Sequence, residues 1–151
     1  MTPERELCWI WYCSLERMTP LFKARLLKQA GGPEVLYGAG EKALRALAAP
    51  IFQGRDLEGF LTFLGESRRE QEQRDRREQM KRLGIRLVSM EDPEFPGCLL
   101  PYEDCPAGLF AAGRLPCMDK PAAALVGARN CTFYGRKVAM ELGRDLAEAG
   151  I

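Results

Sequence analysis

The sequence contains no histidine, and this absence removes the most common general base together with any Ser-His or Cys-His catalytic pair. None of its six cysteines forms a Cys-x-x-C pair, so a structural zinc site is not expected. The longest apolar run, Leu7 to Cys13, is much shorter than the roughly 18 residues of a membrane helix, and the acidic residues before it are unlike a secretory signal. We therefore expect no metal, no cofactor and no membrane attachment.

An excess of positive charge is also missing, because 22 basic and 21 acidic residues leave a net charge of +1. Any binding to nucleic acid must then come from a local patch rather than from a global basic field. The hydrophobic content of 46% in 151 residues is typical of one ordinary globular domain or two small ones. Without a signal segment, the cysteines are expected to be reduced thiols in the cytoplasm.

Residues 1–82 are predicted to form an all-helical domain that ends in a charged helix. Apolar residues, Trp9 among them, recur between Glu4 and Leu15 as they do on the buried face of a helix. Thr19 precedes Pro20 as a helix cap precedes the first helical position, and Gly31-Gly32-Pro33 separates the second helix from a third. The simplest interpretation is the core of a small helical domain.

Two segments of this half leave alternatives open. Gly38-Ala39-Gly40 before a helix is either a turn that offers backbone amides to a DNA phosphate or only a glycine cap. Asp56 is predicted to cap a helix, and Gly65 to Gln79, which has no apolar residue, predicts a solvated helix that bridges two domains. Its expected ion pairs are Glu70–Arg74, Glu72–Arg76 and Glu78–Arg82. Its basic residues could instead contact phosphate.

Residues 83–151 are predicted to open an α/β domain. Ile85 to Ser89 and Leu109 to Gly113 each read as a short strand. The apolar run Ala122 to Val126, a polar turn and a helix from about Tyr134 to Ala149 are typical of a buried parallel strand that leads into a helix. Such a unit is incomplete without further strands, so the chain is expected to be the first part of a longer, Rossmann-like protein.

The turn after this strand is the candidate phosphate site, because helix N-termini at the carboxyl ends of parallel strands favour anions. Arg129 would bind phosphate or pair with a carboxylate such as Asp145. Thr132 would donate its hydroxyl to phosphate or cap the helix, and Tyr134 would stack on a base or pack against the sheet. The full set of candidate residues is Gly127, Ala128, Arg129, Thr132, Tyr134, Gly135 and Lys137.

The same turn carries a family resemblance. Val126-Gly-Ala-Arg129, Thr132 and Tyr134-Gly135 resemble the V-G-S/A-R-x-x-T-x-Y-G pattern of the DNA-processing protein A family (DprA, also called Smf). Upstream, the Pro-rich stretch from Asp92 to Gly113 resembles the segment that precedes this family's first strand. The resemblance covers about Leu83 to Ile151. The family's first hairpin is close to LPGIGP, whereas Leu15 to Pro20 has no glycine here.

The resemblance implies a function that the residues alone do not specify. Members of the family bind single-stranded DNA, form dimers and help to load a RecA-type recombinase during natural transformation, and they are not catalysts. Their N-terminal domain is similar to sterile-alpha-motif or helix-hairpin-helix folds. Two alternatives stay open. One is a Rossmann-like enzyme that binds a mononucleotide, similar to the phosphoribohydrolases, and the other is a helical protein-interaction module that docks through Trp9 or Trp11.

Overall fold

The computed structural model describes residues 1–52, 56–113, 115 and 121–151, and the chain divides into two compact units. The first unit is Met1–Leu115 and the second is Pro116–Ile151. In the part of the chain that is described, no helix has the length and apolar character needed to cross a membrane.

Six helices make up most of the first unit, and they begin and end where local signals place them. Thr2, Thr19 and Asp56 each accept a hydrogen bond from an amide in the first turn of the helix that follows, which confirms the predicted caps at Thr19 and Asp56. Gly31 ends the second helix with φ of 81°, a left-handed conformation that favours glycine. The helices are α1 Pro3–Cys13, α2 Pro20–Ala30, α3 Pro33–Gly38, α4 Glu41–Ala48, α5 Leu57–Ser67 and α6 Glu70–Arg82.

The core of this unit is built on α1, as the apolar pattern predicts. Trp9, Trp11 and Tyr12 are fully buried, and the aliphatic side chains of the other helices surround them. The polar ends of two of these rings find partners: Trp11 Nε1 donates to Ser67 Oγ at 2.9 Å, and the Tyr12 hydroxyl donates to the Lys23 carbonyl at 2.6 Å. Trp9 Nε1, in contrast, is buried without a hydrogen-bond partner among the described residues, so only Trp11 and Tyr12 are buried at little polar cost.

Helix α6 is exposed over most of its length, as predicted, but its inner face is covered, and its role as a bridge between two domains stays a prediction. Gln73 and Met80 are buried, and α6 packs against α1 and against the first strand of the sheet. A polar helix can be held in this way when its few inward-facing side chains are covered by a neighbour. Of its predicted ion pairs, Glu70–Arg74 forms. Glu72 and Glu78 instead pair three residues away, with Arg69 and Lys81.

A two-stranded sheet completes the first unit. The strands β1 Ile85–Ser89 and β2 Gly108–Ala112 pair antiparallel, with a short 3-10 helix at Gly97–Leu99 between them. Leu87 belongs to the helical core, whereas Val88 packs in a smaller cluster with Phe95. Because the sheet shares its core with the helices, the compact unit extends to Leu115 rather than ending near residue 82. The division at residues 82 and 83 stays a prediction about functional domains.

Among its described residues, the second unit consists of one long helix and a preceding segment without regular secondary structure. Helix α7 spans Phe133–Glu148, close to the predicted range, and no residue of it is buried. The strand predicted at Ala122 to Val126 is not formed: these residues have no ladder partner among the described ones, and Val126 is 93% exposed. A parallel strand needs a neighbouring strand to accept and donate its backbone hydrogen bonds. Within the described residues, the strands that are present are the antiparallel pair β1 and β2. The Rossmann-like part of the predicted fold is therefore not confirmed.

Candidate nucleic-acid interface

Thr132 caps α7, as predicted, and its role as a donor to phosphate stays a prediction. Its Oγ1 accepts a hydrogen bond from the Gly135 amide at 3.1 Å, and its backbone is extended with φ of −67° and ψ of 162°. The first amides of a helix have no intrahelical acceptor, and together with the helix dipole they attract anions. The cap fixes where α7 begins, so it also fixes the direction in which these amides face.

Arg129 lies three residues before that cap with its side chain exposed. The carboxylate that sequence reasoning offered it, Asp145, lies instead 3.3 Å from Arg144. Among the described residues, no ion pair engages the Arg129 guanidinium. The guanidinium group is planar and carries five N–H donors. Exposed to solvent beside a helix N-terminus, it is suited to binding a phosphate group.

Aromatic rings flank the turn. Tyr134 is 76% exposed, so it does not pack against a sheet in this unit, which was the alternative to base stacking. Phe133, which the sequence analysis did not select, is 85% exposed. Its position directly after the cap is a signal that could have found it, because a first-turn side chain lies at the edge of the helix and often remains in solvent. Two exposed rings next to a phosphate-attracting turn offer faces on which bases can stack.

Lys137 belongs to a face of α7 that extends from Phe133 to Arg144. The Lys137 ammonium lies 3.8 Å from the Glu141 carboxylate, so an exposed and therefore weak ion pair holds it. Phe133, Arg136, Met140 and Arg144 line a shallow concave surface of about 430 Å³ with this pair. Positive charge in the first turn opposes the helix dipole, and an anion bound nearby would offset that cost.

The glycines of the turn have no observed packing role. A Cβ at Gly127 would meet nothing within 4 Å, and its φ is not positive. At Gly135 a Cβ would lie 3.4 Å from Thr132 Oγ1, which is close to ordinary contact. Gly127 and Ala128 are exposed, so the backbone there is open to a ligand, but nothing in this unit requires glycine.

In the helical unit, the turn Gly38-Ala39-Gly40 connects α3 to α4 and is held from inside. The Arg68 guanidinium donates to the carbonyls of Leu36 and Ala39 at 2.5 and 2.7 Å. Gly40 then serves as the N-cap of α4 without a side-chain hydrogen bond. Whether this turn contacts DNA stays a prediction.

Docking of a partner through the tryptophans is excluded by their burial. Trp9 and Trp11 are 0% and 1% exposed, so neither ring is available at the surface of the first unit. The physical reason is that α1 is the central helix of the core, where its apolar face is covered from several sides.

One family model matches the part of the chain that contains the turn. Residues 86–151 match the model of DNA recombination-mediator protein A. The resemblance to the DNA-processing family is thereby confirmed over β1, β2, the turn and α7. Searches of curated proteins and of solved structures gave no match. The helical segment before residue 86 lies outside the matched range, so its likeness to sterile-alpha-motif or helix-hairpin-helix domains stays a prediction.

Proposed function

We propose that this protein binds single-stranded DNA as a recombination mediator, through the turn from Gly127 to Lys137. The observation that carries the proposal is that the family-matched segment contains a capped helix N-terminus with an exposed Arg129 beside it, which forms no ion pair with any residue that the structure describes. Every side chain proposed to contact DNA in this turn is on the surface rather than committed to the core.

The chemistry of the turn fits a single strand better than a duplex. Non-specific single-strand binding needs cations along the backbone together with faces on which bases stack. Arg129 and Lys137 supply the charge, whereas Tyr134 and Phe133 supply the faces. A paired duplex would keep its bases away from these rings.

We propose that Ala122 to Val126 and α7 are the opening strand and helix of a Rossmann-like sheet. The face of α7 that carries Val138, Leu142 and Leu146 is the apolar one, and Leu142 is still 46% exposed. Neighbouring parallel strands beside Ala122 to Val126 would cover this face and supply the missing ladder hydrogen bonds. The turn would then lie at the carboxyl end of the first strand, where ligands bind in open α/β sheets.

The proposed partners beyond DNA rest on the family match alone. Recombination mediation implies a RecA-type recombinase that is loaded on the bound strand, and the resemblance to the family implies a homodimer. In this role the protein acts by binding rather than by catalysis.

Replacing Arg129 by alanine tests the proposal. Each lost phosphate contact lowers the salt slope of single-strand binding by about 0.7, which amounts to about a fivefold loss of affinity at about 0.1 M salt. We expect this change in a fluorescence-anisotropy titration of labelled oligo-dT, with an unchanged thermal midpoint because Arg129 is exposed.

Arg144→Ala is the matched control, because Arg144 lies on the same helix but is paired with Asp145. It should change the slope less than Arg129→Ala does. An Arg129→Ala variant with normal affinity and slope would contradict the proposal. A large drop in its thermal midpoint would instead mean that the arginine is structural.

A mononucleotide-binding enzyme is the second candidate, since a glycine followed by arginine in a turn before a helix also suits a single phosphate. In that case AMP would displace the labelled strand, and binding would depend little on salt. Strand binding that AMP leaves intact would exclude this candidate.

A further inference from the structure

The first unit contains a cavity of about 340 Å³ where the turn after α1 meets α5 and the start of α6. Side chains from all three regions line it, including Ser14 and Arg17 from the turn and Gln73 and Arg76 from α6. These segments lie far apart in the sequence, so nothing in the linear pattern brings them together. The cavity lies outside the family-matched range.

Two cations of this cavity are not used by the fold. Arg76 has no ion pair among the described residues, although Arg69, Arg74 and Arg77 of the same helix all pair with carboxylates. Arg17 likewise has no carboxylate partner there, and its guanidinium carbon lies 5.2 Å from the centroid of the Phe63 ring. A guanidinium stacked on a ring keeps its donors free at the edge, where they can reach an anion.

The floor of the cavity is polar and partly unsatisfied. Ser14 Oγ is shielded from solvent and has no hydrogen-bond partner among the described residues. Gln73, which is 4% exposed, donates weakly to the carbonyls of Ser67 and Arg69 at 3.4 and 3.3 Å. Because Ser14 Oγ is closed to a water molecule, it is not available to a phosphate in this structure.

Two carboxylates also line the cavity. Glu72 accepts a hydrogen bond from Arg69 at 2.8 Å, which offsets part of its charge. Glu16 is exposed and has no ion pair among the described residues, so its charge opposes the binding of an anion.

We propose that this cavity binds a phosphate of the single-stranded DNA backbone, with Arg17 and Arg76 as its charged ligands. The proposal rests on the proposed function, because it takes the strand as the source of the phosphate. In a glycine-rich hairpin, backbone amides bind the phosphate. The turn from Leu15 to Pro20 contains no glycine, so arginine side chains would bind the phosphate here instead. The helical unit thus contributes a second contact to the same strand.

The test is an anisotropy titration of labelled oligo-dT over a range of salt with the double variant Arg17→Gln/Arg76→Gln. Loss of one phosphate contact should lower the salt slope by about 0.7 and the affinity about fivefold at about 0.1 M salt. Arg74→Gln is the matched control on the same helix, because its partner Glu70 shows that it serves an internal ion pair. Glu16→Gln should tighten binding, since it removes a carboxylate from the cavity.

Separate arms distinguish the source of the phosphate and the possible failures. An abasic strand should show the same dependence on Arg17 and Arg76, because the cavity contacts only the backbone. Trp11 lines the cavity, so its fluorescence should respond to the strand. If Trp11 fluorescence responds to inorganic phosphate but not to the strand, the assignment to DNA is overturned.

If Arg129→Ala weakens binding but the double variant does not, the cavity is not a strand contact and the proposed function stands. If the wild-type protein does not bind the strand, both proposals fail. A folding defect in the double variant would leave Glu16→Gln as the deciding measurement, and unchanged affinity there would overturn the inference.

Discussion

Replacing Gly108 by alanine tests whether the β1–β2 sheet and the helices share one core. A Cβ at this position would lie 2.9 Å from Cys13 Sγ and 3.2 Å from both Leu87 Cδ1 and the Val88 carbonyl oxygen. Favourable contacts between such atoms lie near 3.5–4.0 Å, so α1 or the sheet has to move. Overpacking of this kind costs about 1–3 kcal/mol. In a chain of this length the thermal midpoint should fall by about 2–12 °C.

The cause can be isolated with a double-mutant cycle. In a Cys13→Ala background the closest contact is gone, so Gly108→Ala should cost much less there, and the lower backbone entropy of the unfolded chain should offset part of the remainder. Urea unfolding followed by fluorescence of the buried tryptophans measures both free energies. Equal costs in the two backgrounds, or no cost in either, would refute the packing of the sheet against α1.

Two further predictions concern the second unit and the thiols. Thr132→Ala should cost about 1 kcal/mol of local stability and speed amide exchange in the first turn of α7 about fivefold, whereas Thr132→Ser should restore the protection; unchanged exchange in the alanine variant would show that the cap is not needed. Burial raises the pKa of Cys13 to about 12, so at neutral pH it should be alkylated far more slowly than the exposed Cys98 and Cys131, as mapped by mass spectrometry. Bound oligo-dT should protect Cys131 and not Cys98, and equal protection of both would argue against the turn as the binding site.

Local signals predicted the helices well, because caps and glycine stops act within a few residues. Thr19, Asp56 and Gly31 each determine a helix end through their own backbone or side chain, so the sequence alone locates them. The strands β1 and β2 were also recognisable from their short apolar patterns between turn residues. Such features need no knowledge of distant neighbours.

Features that depend on tertiary contact were not predictable in the same way. Gln73 is buried because α6 packs against α1. Nothing in the neighbouring sequence indicates that this polar residue is buried. The strand expected at Ala122 to Val126 needs partners for its ladder, and the pattern cannot supply them. In the site, the family pattern indicated Arg129 and Thr132, whereas Phe133 is not part of that pattern and was recognised from its exposure.

The cavity at Arg17 and Arg76 illustrates the same limit. The sequence suggested that basic residues of the charged helix could contact phosphate, but it did not distinguish Arg76 from its neighbours. The ion pairs of Arg69, Arg74 and Arg77 set it apart from them, and its place in the lining of the cavity sets it apart from Arg82.

The most direct test of single-strand binding is an anisotropy titration of labelled oligo-dT with the wild-type protein at low and moderate salt, with a matched duplex and AMP as competitors. We predict binding that weakens as salt is raised, that the duplex displaces poorly and that AMP does not displace. Displacement by AMP with little dependence on salt, or no binding of the strand at low salt, would contradict the account.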